Sequence, residues 1–137
     1  MSYRFLEHTA DVKFQAEGKT LEEAFISSAG ALNETIRGDI LVSEAEEKSF
    51  EVSGKDLEGL LYNFLEEFLF LLDSENFLIS KVKEIKIDET NFILKAIVSG
   101  DSAENYSFTN DVKAITYNEM FVKKEDGFWK IQTVLDV

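Results

Sequence analysis

Apolar residues along this chain recur with two periods, and the switches between them divide it into elements. Tyr3-Arg4-Phe5-Leu6 reads as a short strand. Val12, Phe14 and Ala16 alternate with polar residues, the period of a half-buried strand. Gly18-Lys19 predicts a turn, and Thr20-Leu21-Glu22-Glu23 is a capping box. In such a box the threonine oxygen accepts the amide three residues on, and the glutamate reaches back. Leu21, Ala24, Phe25, Ala29, Leu32 and Ile36 then form one helical stripe, with Gly38 as its stop. Ile40–Val42 and Lys48–Val52 read as short strands around an acidic loop, Glu44–Glu47. Asp56 caps a second helix carrying Leu57, Leu60, Leu61, Phe64, Leu65, Phe68, Leu69 and Leu72, with Phe70 and Leu71 widening its apolar face. This predicts a central buried helix packed on a sheet.

Beyond it the period falls to two. Val82, Ile85 and Ile87, then Phe92–Val98, predict two strands around Asp88-Glu89-Thr90-Asn91. Gly100–Asn105 reads as a polar loop. Val112–Val122 and Phe128–Leu135 predict strands joined at Lys124-Glu125-Asp126-Gly127, where Asp-Gly is a hairpin cue. On the last strand Trp129, Ile131, Thr133 and Leu135 share one face and Lys130, Gln132, Val134 and Asp136 the other. No linker, repeat or low-complexity tract interrupts the pattern. The expectation is a single α+β domain over residues 1–137, with two main helices on a largely antiparallel sheet.

Composition narrows the chemistry. The chain has 137 residues, 45% of them hydrophobic and 12 of them Phe, enough for a sizeable core. There is no cysteine and one histidine, His8, which excludes disulfides, thiolate nucleophiles and His-pair or Cys-based zinc sites. Any metal would have to rely on carboxylates and carbonyls, which suit calcium or magnesium. Asp and Glu total 27 against 14 Lys and Arg, a net charge of -13, and no basic patch is evident; direct nucleic-acid binding is not expected. The N-terminus has neither a basic nor an apolar leader region, and Leu57–Leu72 is broken by Asn63, Glu66 and Glu67. No membrane association and a cytoplasmic location are the expectations.

Three segments could carry chemistry. Glu7-His8-Thr9-Ala10-Asp11-Val12 packs an imidazole, a hydroxyl and a carboxylate between two strands, though on spacing alone the plainer reading is that His8 and Asp11 organise a turn. Leu135-Asp136-Val137 would set a side-chain carboxylate beside a terminal one; a solvated acidic end is the plainer reading. Val112-Lys113-Ala114-Ile115-Thr116-Tyr117-Asn118 alternates as a strand should, and a lone Lys113 there commonly protects an edge. GxSxG, the P-loop and GxGxxG are absent, and nothing in the spacing supports a triad through His8.

These segments together resemble the archease family along essentially the whole chain. The resemblance is carried by His8-Thr9-Ala10-Asp11-Val12, by Gly18-Lys19-Thr20-Leu21-Glu22-Glu23-Ala24-Phe25, by the Asp56-Leu57 to Leu72 helix, by Val112-Lys113-Ala114-Ile115-Thr116-Tyr117 and by Val134-Leu135-Asp136-Val137. It implies an archease-like fold and an accessory protein, not itself an enzyme, that activates the tRNA-splicing RNA ligase. That ligase seals a 2′,3′-cyclic-phosphate or 3′-phosphate end to a 5′-hydroxyl through its own guanylylated histidine. The archease promotes guanylylation and multiple turnover and broadens the nucleotide used. The resemblance places a divalent metal, usually calcium, on Asp11, Asp136 and Val137, and makes Lys113 and His8 candidates for contact with the partner. One departure is Asn118, where many relatives read Thr-Tyr-His; it removes an imidazole and leaves the implied ligands in place. The competing expectations are a general chaperone or interaction module, and a small metal-dependent hydrolase using His8 as acid/base with Asp11 and Asp136 holding the ion.

Overall fold

Seven strands and two long helices make up most of the chain, and the computed structural model describes residues 1–137. In order they are β1 (Ser2–Leu6), β2 (Val12–Gly18), α1 (Leu21–Arg37), β3 (Glu46–Ser53), α2 (Leu57–Glu75), β4 (Phe77–Asp88), β5 (Ile93–Ser102), β6 (Ala114–Glu125) and β7 (Phe128–Asp136). The strands form two sheets, β1-β2-β7-β6 and β3-β5-β4, and every pairing is antiparallel. The fold is the expected α+β domain, with its sheet divided in two.

Local chemistry sets the element ends. Thr20 Oγ1 accepts the Glu23 amide at 3.1 Å, while Glu23 reaches back to the Lys19 amide rather than to that of Thr20. Asp56 Oδ1 accepts the Gly59 amide at 2.7 Å and starts α2. At the other ends Gly38 (φ +64°) returns its amide to the Glu34 carbonyl, and left-handed Asn76 returns its own to Leu71. Asp126 and Gly127 both have positive φ, as a two-residue hairpin between twisted strands requires.

One core serves both sheets. Phe64 of α2 is fully buried, with ring centroids 5.7 Å from Phe25 of α1, 6.2 Å from Phe50 of β3 and 5.4 Å from Phe68. Phe14, Ile131 and Leu135 enter the same core from the four-stranded sheet, and Leu94 and Val98 from the three-stranded one.

Several sequence expectations are corrected. Ile40–Val42 is not a strand: Arg37 donates to the Ile40 carbonyl and Ser80 Oγ to that of Val42 at 2.8 Å, so side chains satisfy this backbone. Glu46 and Glu47 lie inside β3 rather than in a loop. Gly100–Ser102 continues β5, and Ala103–Asn105 is a 3₁₀ turn. Gly100 permits that continuation because a Cβ there would lie 2.2 Å from the Leu78 carbonyl oxygen. β6 begins at Ala114, not Val112, whose amide turns to Asn110 Oδ1. Phe70 is 50% exposed and does not widen the buried face, whereas Leu71 does. No helix is long and apolar enough to cross a membrane.

Candidate functional site

The end of the four-stranded sheet gathers most of the candidate residues. Val12 pairs with Leu135, so the next step of the register sets Asp11 beside Asp136. Strand alternation gives Asp11, Lys13, Val134 and Asp136 one parity and the core residues Phe14 and Leu135 the other. Ala114 of β6 pairs with Asp136 from the other side, and the Lys113 amide donates to the Asp136 carbonyl at 2.7 Å. Lys113 therefore reaches this end through its main chain, and its side chain is exposed. The Asp136 side chain is exposed, while Val137 packs against the core.

A bulge in β6 completes the arrangement. Thr116 pairs with Val134 and Phe121 with Gln132, so Tyr117–Met120 stand opposite Thr133 alone. Glu119 takes a positive φ of 56° there. Gln132, only 8% exposed, donates from Nε2 to the Glu119 carbonyl at 2.8 Å and accepts from Gln15 Nε2 at 2.9 Å. The bulge is thereby tied across the outer face, and the Glu119 carboxylate falls between Lys13 of β2 and His8 of the preceding loop.

His8 Nε2 lies 3.0 Å from Glu119 Oε2 and Lys13 Nζ 3.1 Å from Glu119 Oε1. The His8 hydrogen bond, then that of Lys13, holds the Glu119 carboxyl below its ordinary value. The other His8 nitrogen, Nδ1, is buried, has no hydrogen-bond partner and sits 3.7 Å from Asp11 Oδ2. A neutral His8 that donates from Nε2 to Glu119 turns the Nδ1 lone pair toward the Asp11 carboxylate. Two acceptors then face each other, an arrangement relieved by a proton on Nδ1 or by a cation between them.

The structure thus brings His8 and Asp11 together, and its register puts Asp136 and Val137 at the same sheet end. No three His, Asp or Glu side chains converge closely enough to hold a metal ion among themselves. The oxygen donors present still fit a hard cation: Asp11 just before β2, Asp136 at the end of β7, and main-chain oxygens at Asp136 and Val137. Sequence reasoning missed Lys13, Glu119 and Gln132. A signal existed: Ile115 and Val122 both face the core yet differ in parity, so the alternation had to slip between them.

Fold and site define an α+β domain, two helices on two antiparallel sheets with an acidic, imidazole-braced sheet end. The model of the Archease protein family (MTH1598/TM1083) matches residues 3–137. A protein archease from Pyrobaculum neutrophilum is 40% identical over 98% of this chain and 95% of its own length. One from Pyrococcus abyssi is 43% identical over 96% and 95%. The solution structure of protein 1598 of Methanobacterium thermoautotrophicum superposes with a TM-score of 0.83 at 37% identity, covering 98% of both chains. The crystal structure of an archease, described as a possible chaperone, from Thermotoga maritima shares the fold at a TM-score of 0.67 and 20% identity, covering 96% of this chain and 94% of that one. The chain belongs to the archease family.

Proposed function

We propose that this protein is a non-catalytic activator of a tRNA-splicing RNA ligase, promoting guanylylation of the ligase, its repeated turnover and a broader use of nucleotides. The observation that supports the reading is the last β2–β7 pair, Val12 with Leu135, from which Asp11 and Asp136 each lie one residue away. Family membership gives that end its context. Asp11, Asp136 and Val137 would hold a divalent cation, calcium by resemblance, which would neutralise the clustered carboxylates. His8 and Lys113 flank the same end and would face the ligase. A net charge of -13 favours action through a protein that binds RNA over contact with RNA itself. An activator of this kind works by binding the guanylylation-competent conformation of the ligase more tightly than the alternative.

The test is ligase guanylylation and multiple-turnover ligation, with and without this protein. Asp11→Ala and Asp136→Ala should each abolish stimulation while leaving the circular dichroism spectrum unchanged; full stimulation by both would overturn the assignment. Calcium should raise the wild-type melting temperature and leave that of Asp11→Ala in place. A chaperone-like reading draws on the exposed apolar side chains Leu41 and Phe70, 92% and 50% accessible. It is favoured instead if the protein suppresses aggregation of an unrelated client.

A further inference from the structure

The β6 bulge also builds something on its other side. Tyr117, its first residue, lies parallel to Tyr62 of α2, with ring centroids 4.4 Å apart and planes 5° apart. Tyr117 remains 55% exposed. Its hydroxyl reaches Gly59, where a Cβ would stand in ordinary contact with it at 3.8 Å and more tightly, at 3.1 Å, against Asp56 Oδ1. The pair therefore rests against the first turn of α2 beside the capping aspartate. Burial, then the negative charge of Asp56 and Glu66, raises the Tyr117 phenol above its ordinary value. From Asp56 to Glu75 the chain has no Lys or Arg, and neither has the bulge.

An exposed tyrosine ring has an electron-rich face, and carboxylates beside it deepen the negative potential. A planar guanidinium suits both features, since it stacks flat on a ring and donates in-plane to a carboxylate. A compact, more strongly hydrated ammonium suits them less. Nucleic-acid bases also stack on tyrosines, but their phosphates would meet Asp56 and Glu66 with Lys55 as the one basic side chain next to them in sequence. We infer that the Tyr62–Tyr117 stack, rimmed by Asp56 and Glu66, is a docking surface for an arginine on a basic segment of a partner protein. Charge complementarity selects that occupant: the chain carries -13, and a protein that handles RNA must itself present arginines and lysines. The inference rests on the proposed activator role only for the identity of the partner.

The probe is an acetyl-Gly-Arg-Gly amide peptide, titrated into the full-length protein and followed by amide NMR, with the lysine analogue and a uridine oligonucleotide as comparisons. Shifts should centre on Asp56, Gly59, Tyr62, Glu66 and Tyr117, with the arginine peptide preferred by up to about fivefold, the ceiling set by a whole exposed cation–π contact. Tyr117→Leu should abolish that preference and Tyr117→Phe should keep it. Glu66→Gln, remote from the bulge backbone, should weaken both peptides, so the test survives if Tyr117→Leu disturbs folding. Shifts spread over the whole acidic surface, equal binding of the two peptides, or preference for the oligonucleotide would overturn the inference. In the guanylylation assay Tyr117→Leu should raise the half-stimulating concentration without lowering the maximum. Focused, arginine-selective shifts without any effect on a ligase would uphold the patch and overturn only the ligase as its partner.

Discussion

Gln132→Met tests whether side-chain amides hold the β6 bulge in place. The substitution nearly conserves volume at a position 8% exposed and removes two hydrogen bonds, to the Glu119 carbonyl at 2.8 Å and from Gln15 Nε2 at 2.9 Å. Losing a neutral bond costs about 1 kcal/mol where the partner turns to water and about 1–3 kcal/mol where it is left dry. Gln15 is half-exposed and turns to water; the Glu119 carbonyl faces the sheet. The expected loss is therefore about 2–4 kcal/mol. With an unfolding entropy of about 2.1 cal/mol/K per residue over 137 residues, that lowers the melting temperature by about 7–14 °C. Thermal unfolding followed by circular dichroism at pH 7 measures it. Hydrogen exchange should show the amides of residues 117–120 losing protection while α1 and α2 keep theirs. Gln15→Met removes the bond to Gln132 and the exposed one from Arg4 but spares that to the Glu119 carbonyl, so exchange at residues 117–120 should change less than in Gln132→Met. A fall of less than about 3 °C for Gln132→Met, or exchange unchanged in the bulge, would refute the reasoning.

Phe64→Ala deletes the ring that joins both helices and β3, and should cost about 3–5 kcal/mol in urea unfolding. Gly100→Ala would drive a Cβ to 2.2 Å from the Leu78 carbonyl oxygen and should break the β4–β5 pairing locally, seen as lost amide protection at Leu78 and Ile79. Asp101 has its carboxyl pulled below the ordinary value by Tyr106, then by the Ser102 amide and Asn105. Because the folded-state value is the lower one, this stabilisation is fully present above the ordinary carboxyl range, about pH 4, and is lost as pH falls through the folded value. Wild type should therefore lose stability more steeply than Asp101→Asn across that window; parallel acid unfolding curves would contradict it.

The legible parts of the fold are those where chemistry is local. Thr20, Asp56 and Gly38 announce the helix ends because a cap needs only residues three or four apart. Asp126-Gly127 announces the hairpin for the same reason. The division into two sheets was not legible, since edges are chosen by long-range pairing and alternation reports only which face is buried. Ile40–Val42 misled because its apolar pattern serves burial of Val42, while nearby Arg37 satisfies the Ile40 carbonyl and Ser80, 38 positions on, that of Val42. In the site, His8 and Asp11 stood out as a short motif, whereas Glu119 contacts His8 across 111 positions and carries no local mark of its own.

The parity slip in β6 ties these observations together. Five steps along β6, from Thr116 to Phe121, match two along β7, from Val134 to Gln132, and the difference is odd. An odd difference exchanges the faces, so Ile115 before the bulge and Val122 after it both enter the core. The same excursion sends Glu119 to His8 and Lys13 on the outer face and lays Tyr117 on Tyr62 at the start of α2. One irregularity thus satisfies the core, braces the acidic sheet end and builds the aromatic step. Regular pairing through residues 116–122 would have to give up at least one of the three, because a regular strand keeps Ile115 and Val122 on opposite faces. That accounts for a bulge whose backbone strain at Glu119 is held on the outer face by hydrogen bonds from β7 and β2, rather than relaxed into a straight strand.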